Sequence, residues 1–156
     1  MDQLQTYLSD HLSGSIVAID LARRRALSQG DNEIGTELRR FAAEVERDQR
    51  TLRSIIATLG ASPSIVKELI ASGTAWVDSI RSALNLPGAP NLVRDLELLI
   101  MGVRGKELLW GALEKIGVET DPPIHTLQDR AAAQLSSLDV LHACSVEQEF
   151  GSSRLP

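Results

Sequence analysis

From residue 33 to residue 59 the apolar positions Ile34, Leu38, Phe41, Val45, Leu52, Ile55 and Leu59 recur in alternating steps of four and three, the spacing of one face of an α-helix. Asp48 occupies the one place in that stripe where another apolar residue is due. The preceding stretch, residues 2–28, carries a weaker stripe of Leu4, Leu8, His11, Ser15, Ala18 and Ala22. Between the two, "SQGDN" supplies Gly30 for a left-handed exit and Asp31 as a cap for the second helix. Gly60 closes that helix, and Ser62-Pro63 reads as an N-cap with proline at the first helical position. A third segment, about 62–84, is predicted from Ile65, Leu69, Trp76, Ile80 and Leu84, with Gly73 weakening its middle. "NLPGAPN" ends it. Residues 91–116 form a strong helix with Leu92, Leu96, Leu99, Val103, Trp110 and Leu113 on one side. After "GVETDPPIH", Thr126 and Asp129 resemble a capping box that opens a last helix, 126–150, before the frayed tail 151–156.

No alternation of period two bounded by turn residues occurs, so the expected class is all-α. Short links make antiparallel neighbours of the first two helices and of the last two. The long connection between those pairs permits a crossover that unites them as one four-helix bundle, a single domain over 1–150 with an extra helical segment in the crossover.

Composition narrows the functional classes. The chain has 156 residues, long enough for one substantial core, and only five of them, Tyr7, Phe41, Trp76, Trp110 and Phe150, are aromatic, so that core must be aliphatic. A net charge of −5 argues against general affinity for nucleic acid. The single Cys144 cannot form an internal disulfide, the acidic amphipathic start is unlike a secretion signal, and no apolar run is long enough to span a bilayer. A cytoplasmic protein is the expectation, with neither nucleic acid nor membrane as partner.

"YLSDHLSG" at 7–14, "VERDQRTLRSIIATLG" at 45–60, "PSIVKE" at 63–68 with Trp76, and "GVRGKELLW" at 102–110 together give the chain its resemblance to a divergent branch of small bacterial helical proteins in the ferritin-like superfamily. The resemblance extends over nearly the whole chain as helical pattern, and it implies an up-down bundle with a crossover between helices two and three. Superfamily members that handle iron place one carboxylate on each of two helices and a Glu-x-x-His pair on each of the other two. Here Asp139 and His142 give an Asp-x-x-His version, and folding the second hairpin about residue 120 sets Glu97 beside position 143, so Glu97, Asp139 and His142 are the candidate metal ligands. The second half of such a set is missing, because "AAEVERDQRTL" contains Glu44, Glu46 and Asp48 but no histidine three residues beyond any of them.

His11 and Asp48 form a second candidate cluster. Folding the first hairpin about residue 31 sets Asp48 opposite residue 14, within reach of His11, and a carboxylate inside a core needs a partner. The simplest reading is a buried polar pair. Asp20 with Arg23 or Arg24, Glu46 with Arg50, and Glu107 with Arg104 read as surface ion pairs, and Gly102 with Gly105 as a place of close helix packing. The leading functional expectation is a non-catalytic binding or assembly protein without cofactor that forms a homo-oligomer such as a dimer, with the Trp76 segment as contact surface; a clean monomer in light scattering at micromolar concentration would remove the assembly part. Two alternatives stand beside it. One is an iron- or manganese-dependent oxidoreductase using Glu97, Asp139 and His142. The other is a binder of small apolar ligands, favoured if Ser15, Ala18 and Ala22 leave a cavity.

Overall fold

A computed structural model describes residues 3–60 and 91–151. These contain four helices, α1 (Gln3–Gln29), α2 (Glu33–Thr58), α3 (Leu92–Lys115) and α4 (Ile124–Phe150), and no strand. The expected helix at about 62–84, with Gly73 and Trp76, and the tail 152–156 lie outside the described residues.

The helix ends derive from local chemistry. Gly30, Gly60 and Gly117 all take positive φ after a helix, at 68°, 83° and 73°. Asn32, and not Asp31, caps α2 by accepting a hydrogen bond from Gly35 N at 2.8 Å. Asp31 instead pairs with Arg39 at 3.3 Å. Asn91 caps α3 in the same way, accepting from Arg94 N at 3.2 Å. The last helix starts at Ile124, two residues before the expected capping box. Pro123, with φ of −55° and ψ of 149°, directs its carbonyl to the amides of Thr126 and Leu127, which removes the need for a side-chain cap at Thr126.

Cross-helix pairs give the topology. Ser15 meets Gln49 and Arg23 meets Glu46 between α1 and α2, while Arg25 pairs with Asp95 and His11 lies beside Gly105 between α1 and α3. Arg40 reaches Ser137 and Asp48 reaches Arg130 between α2 and α4; Glu97 meets His142 and Glu114 meets Gln128 between α3 and α4. In each of these four neighbouring pairs residue numbers rise on one helix as they fall on the other. So α1 and α4 run one way, α2 and α3 the other, and Gly60 and Asn91 stand at opposite ends of the helical array.

Inside, one continuous aliphatic cluster joins all four helices. Every apolar residue of the expected α3 stripe is buried, as are Leu38, Phe41, Val45, Leu52 and Ile55 of α2, with Asp48 among them at 2% exposure. The anticipated surface pairs Arg24–Asp20 and Arg104–Glu107 form at 3.1 and 2.9 Å. Glu46 departs from expectation: it pairs across the hairpin with Arg23 and not with Arg50, which ties α2 to α1. No helix among the described residues is long and apolar enough to cross a membrane.

Candidate functional site

Among the described residues two adjoining features break the apolar packing, a charged network and a half-open cavity. Asp48 is the centre of the network. Lys106 Nζ of α3 donates to its Oδ2 at 2.7 Å, Arg130 Nη1 of α4 donates to its Oδ1 at 2.5 Å, and Gln134 Nε2 donates to Oδ2 at 3.4 Å. Lys106 also donates to Gln134 Oε1, which closes a ring among Asp48, Lys106 and Gln134. A carboxylate in a low-dielectric core is tolerated only when opposite charge and donors replace its water, and this ring provides both. The side chains of Lys106 and Arg130 are 13% and 19% exposed. Burial pushes the Lys106 ammonium down from the usual lysine range, and Asp48 opposes the shift.

The volume lies between α1, α2 and α3. It is a cavity of about 400 Å³ whose walls include Ala18, Phe41, Val45, Leu52, Leu99, Val103, Leu109 and Trp110. Gly14 and Gly102 also line it, and a methyl group built on either would meet nothing within 4 Å. Gly105 does bring helices together, since a methyl there would lie 3.8 Å from His11 Cε1. The expectation of close packing at both Gly102 and Gly105 is therefore met at Gly105 alone, and at Gly102 the missing side chain widens the cavity. Polar groups enter at one level: Asp48, Gln49 and Lys106 line the cavity together with Ser15 and His11, and Asp10 lies on its exposed side. Ser15 and Gln49 satisfy one another at 2.9 Å, and Ser15 donates in turn to the carbonyl of Leu12. Trp110, 1% exposed, is different: its Nε1–H is buried without an acceptor among the described residues.

Comparison with family models, with curated proteins and with solved structures finds no match to this chain. Its function is therefore a matter of the site's own geometry.

The expected pair of His11 and Asp48 is corrected by this geometry. Both line the cavity, but Asp48 is satisfied by Lys106, Arg130 and Gln134, while the His11 ring packs edge-on against Tyr7 with centroids 4.6 Å apart. Full-length cationic side chains on α3 and α4 reach the carboxylate from the bundle interior, a possibility that pairing within the first hairpin left out. Burial lowers the His11 pKa, with Asp10 partly opposing. The folded state thus binds a proton at His11 less readily than the unfolded state does. Its contribution to stability is accordingly full above the ordinary histidine pKa of about 6.5 and is lost as pH falls from there through the lower folded value. The drop in melting temperature between about pH 8 and about pH 5.5 should therefore be smaller in His11→Phe than in the parent, and an identical drop would show His11 to be uninvolved.

The candidate metal ligands are not brought into one site. His142 Nε2 lies 3.2 Å from Glu97 Oε1, as the hairpin register implied, but Glu97 is exposed. Asp139 lies exposed in a separate shallow groove with Arg104 and Glu107. Among the described residues no three His, Cys, Asp or Glu side chains converge to hold a metal ion. The reason is geometric: residues three apart diverge by about 60° around a helix, so Asp139 and His142 converge only if a partner stands between them, and Glu97 stands at the level of His142 alone.

Lys106, Arg130 and Gln134 are the residues that sequence reasoning overlooked. A signal for Lys106 exists, because it sits between Val103 and Trp110 at steps of three and four, inside the buried stripe of α3 as Asp48 is inside that of α2.

Proposed function

We propose that this chain is a non-catalytic binding protein, with a ferritin-like arrangement of helices, that holds a small and mainly apolar molecule between α1, α2 and α3. The ferritin-like assignment is supported by the helix directions: antiparallel neighbours all round, with α2 parallel to α3, suit a bundle whose second and third helices are joined by a long crossover. The binding assignment rests on one observation, the half-open cavity of about 400 Å³ that Gly14 and Gly102 border and whose walls are mainly apolar. Ligand pockets have this character, with apolar walls, a few convergent polar groups and a volume of roughly 300–1,000 Å³. Of the three small residues expected to leave space, Ser15 and Ala18 line the cavity, whereas Ala22 is fully buried in the core.

Calorimetric titration of the full chain with decanol tests this reading. Saturable one-to-one binding with a raised melting temperature is expected, since a ligand that binds only the folded state stabilises it. Ala18→Leu, which extends a side chain into the cavity, should abolish that binding while the protein remains folded. Absence of saturable binding, or binding that Ala18→Leu leaves intact, would overturn the proposal.

A further inference from the structure

The cavity's polar level is unbalanced, and the direction of the imbalance names a ligand class, given the reading of the cavity as a binding site. Lys106 carries three N–H donors, of which Asp48 and Gln134 take two. The third has no acceptor among the described residues, and Lys106 lines the cavity. Trp110 lines it too, but its indole N–H is closed off from the cavity space, so Lys106 is the donor that a bound group can reach.

Charge points the same way. Asp48 carries one negative charge against the two positive charges of Lys106 and Arg130, so the triad has a net charge of +1. Glu44, whose field also reaches Lys106, shares Arg40 with Glu37 at 3.2 and 2.5 Å, so the positive charge is local to the triad and its cavity face. Asp10 is the remaining carboxylate in the lining, and it is exposed to water, where its repulsion is screened. The apolar walls rule out a compact, fully hydrated anion, which would lose its solvation against Leu99, Val103 and Leu109. An amphiphile with an apolar body and a single anionic head meets both demands.

We infer that the cavity takes a medium-chain carboxylate, its head held by the N–H of Lys106 that no described residue accepts and its chain lying along the apolar walls. The head neutralises the triad, and one of its oxygens accepts the third N–H of Lys106. No bond is made or broken.

The experiment compares dodecanoate with dodecanol, which share an apolar body, by calorimetry on the full chain, and follows the carboxyl carbon of carbon-13 dodecanoate through a pH titration. Dodecanoate should bind at least about tenfold more tightly than dodecanol, as expected for exchange of a neutral for a charge-assisted hydrogen bond. Its bound carboxyl should titrate below the free acid. Lys106→Met should remove most of that preference while leaving dodecanol affinity within about threefold, and the retained alcohol binding shows that the variant is folded. Equal affinity for the two ligands, or a preference that survives Lys106→Met, overturns the headgroup assignment and leaves the apolar cavity standing. Failure of both ligands to bind overturns the cavity reading itself.

Discussion

Replacing Asp48 by alanine is expected to lower the unfolding free energy by about 3–5 kcal/mol, the cost of leaving buried charge without its partner. Asp48 is 2% exposed and contacts three side chains, and two of these, Lys106 and Arg130, bring positive charges from different helices. Without the carboxylate those charges would repel one another across a site that water barely reaches. The loss should exceed that from any surface pair such as Arg104–Glu107, which contributes about 0.2–1 kcal/mol. Chemical denaturation followed by circular dichroism measures the effect, and a midpoint unchanged from the parent would show that the network carries no weight. A second variant separates charge from packing. Asp48→Leu combined with Lys106→Met and Arg130→Met removes all three charges at similar volume, and replacements of that kind are often neutral or stabilising. The triple variant should therefore be clearly more stable than Asp48→Ala alone. With the Lys106 ammonium gone it should also have lost its preference for a carboxylate over an alcohol, which would separate a role in binding from a role in stability.

Trp110→Ala is expected to cost a similar amount, about 3–5 kcal/mol, by a different mechanism. Trp110 is 1% exposed and among the largest fully buried side chains, and its removal would enlarge a space that is already empty. Neighbours that already border a void cannot collapse to fill a larger one, which places the expected loss toward the upper end of that range. Trp110→Phe should behave otherwise. It forfeits some packing but also removes an unsatisfied N–H whose burial costs about 1–3 kcal/mol, so the two effects largely cancel in the ligand-free protein. Thermal melts of both variants would test this. Trp110→Phe should lie near the parent, and a large loss would mean that the indole N–H is satisfied in the folded protein.

The helices themselves were legible because the information that specifies them is local. The three-and-four spacing of Leu38, Phe41, Val45, Leu52 and Ile55, and of Leu92, Leu96, Leu99, Val103, Trp110 and Leu113, needs no knowledge of any neighbour, and all of these residues are buried. Register within each hairpin was legible too, because a short link leaves few ways to align two helices: position 48 was expected opposite 14 and position 97 beside 143, and the structure pairs Gln49 with Ser15 and Glu97 with His142. The differences at helix ends were small: Asn32 and not the adjacent Asp31 caps α2, and α4 starts behind Pro123, two residues before Thr126, choices settled by backbone angles that composition does not reveal.

The candidate site was legible only in part, and the parts that failed share a cause. Asp48 stood out because it broke an apolar stripe. Lys106 broke one as well, but a lysine on a helix is so often a solvated flank that its place between Val103 and Trp110 carried little weight until Asp48 was seen opposite it. The cavity was foreshadowed by Ser15 and Ala18, yet identical small residues at Gly105 bring two helices together and at Gly102 leave open space. Periodicity along the chain dictates which face of each helix turns inward, since that depends on 3.6 residues per turn and on nothing else. Which inward charges meet, and where four facing surfaces fail to fill the space between them, depends on contacts between residues 28 to 86 positions apart, and these exist only once the helices have packed side by side.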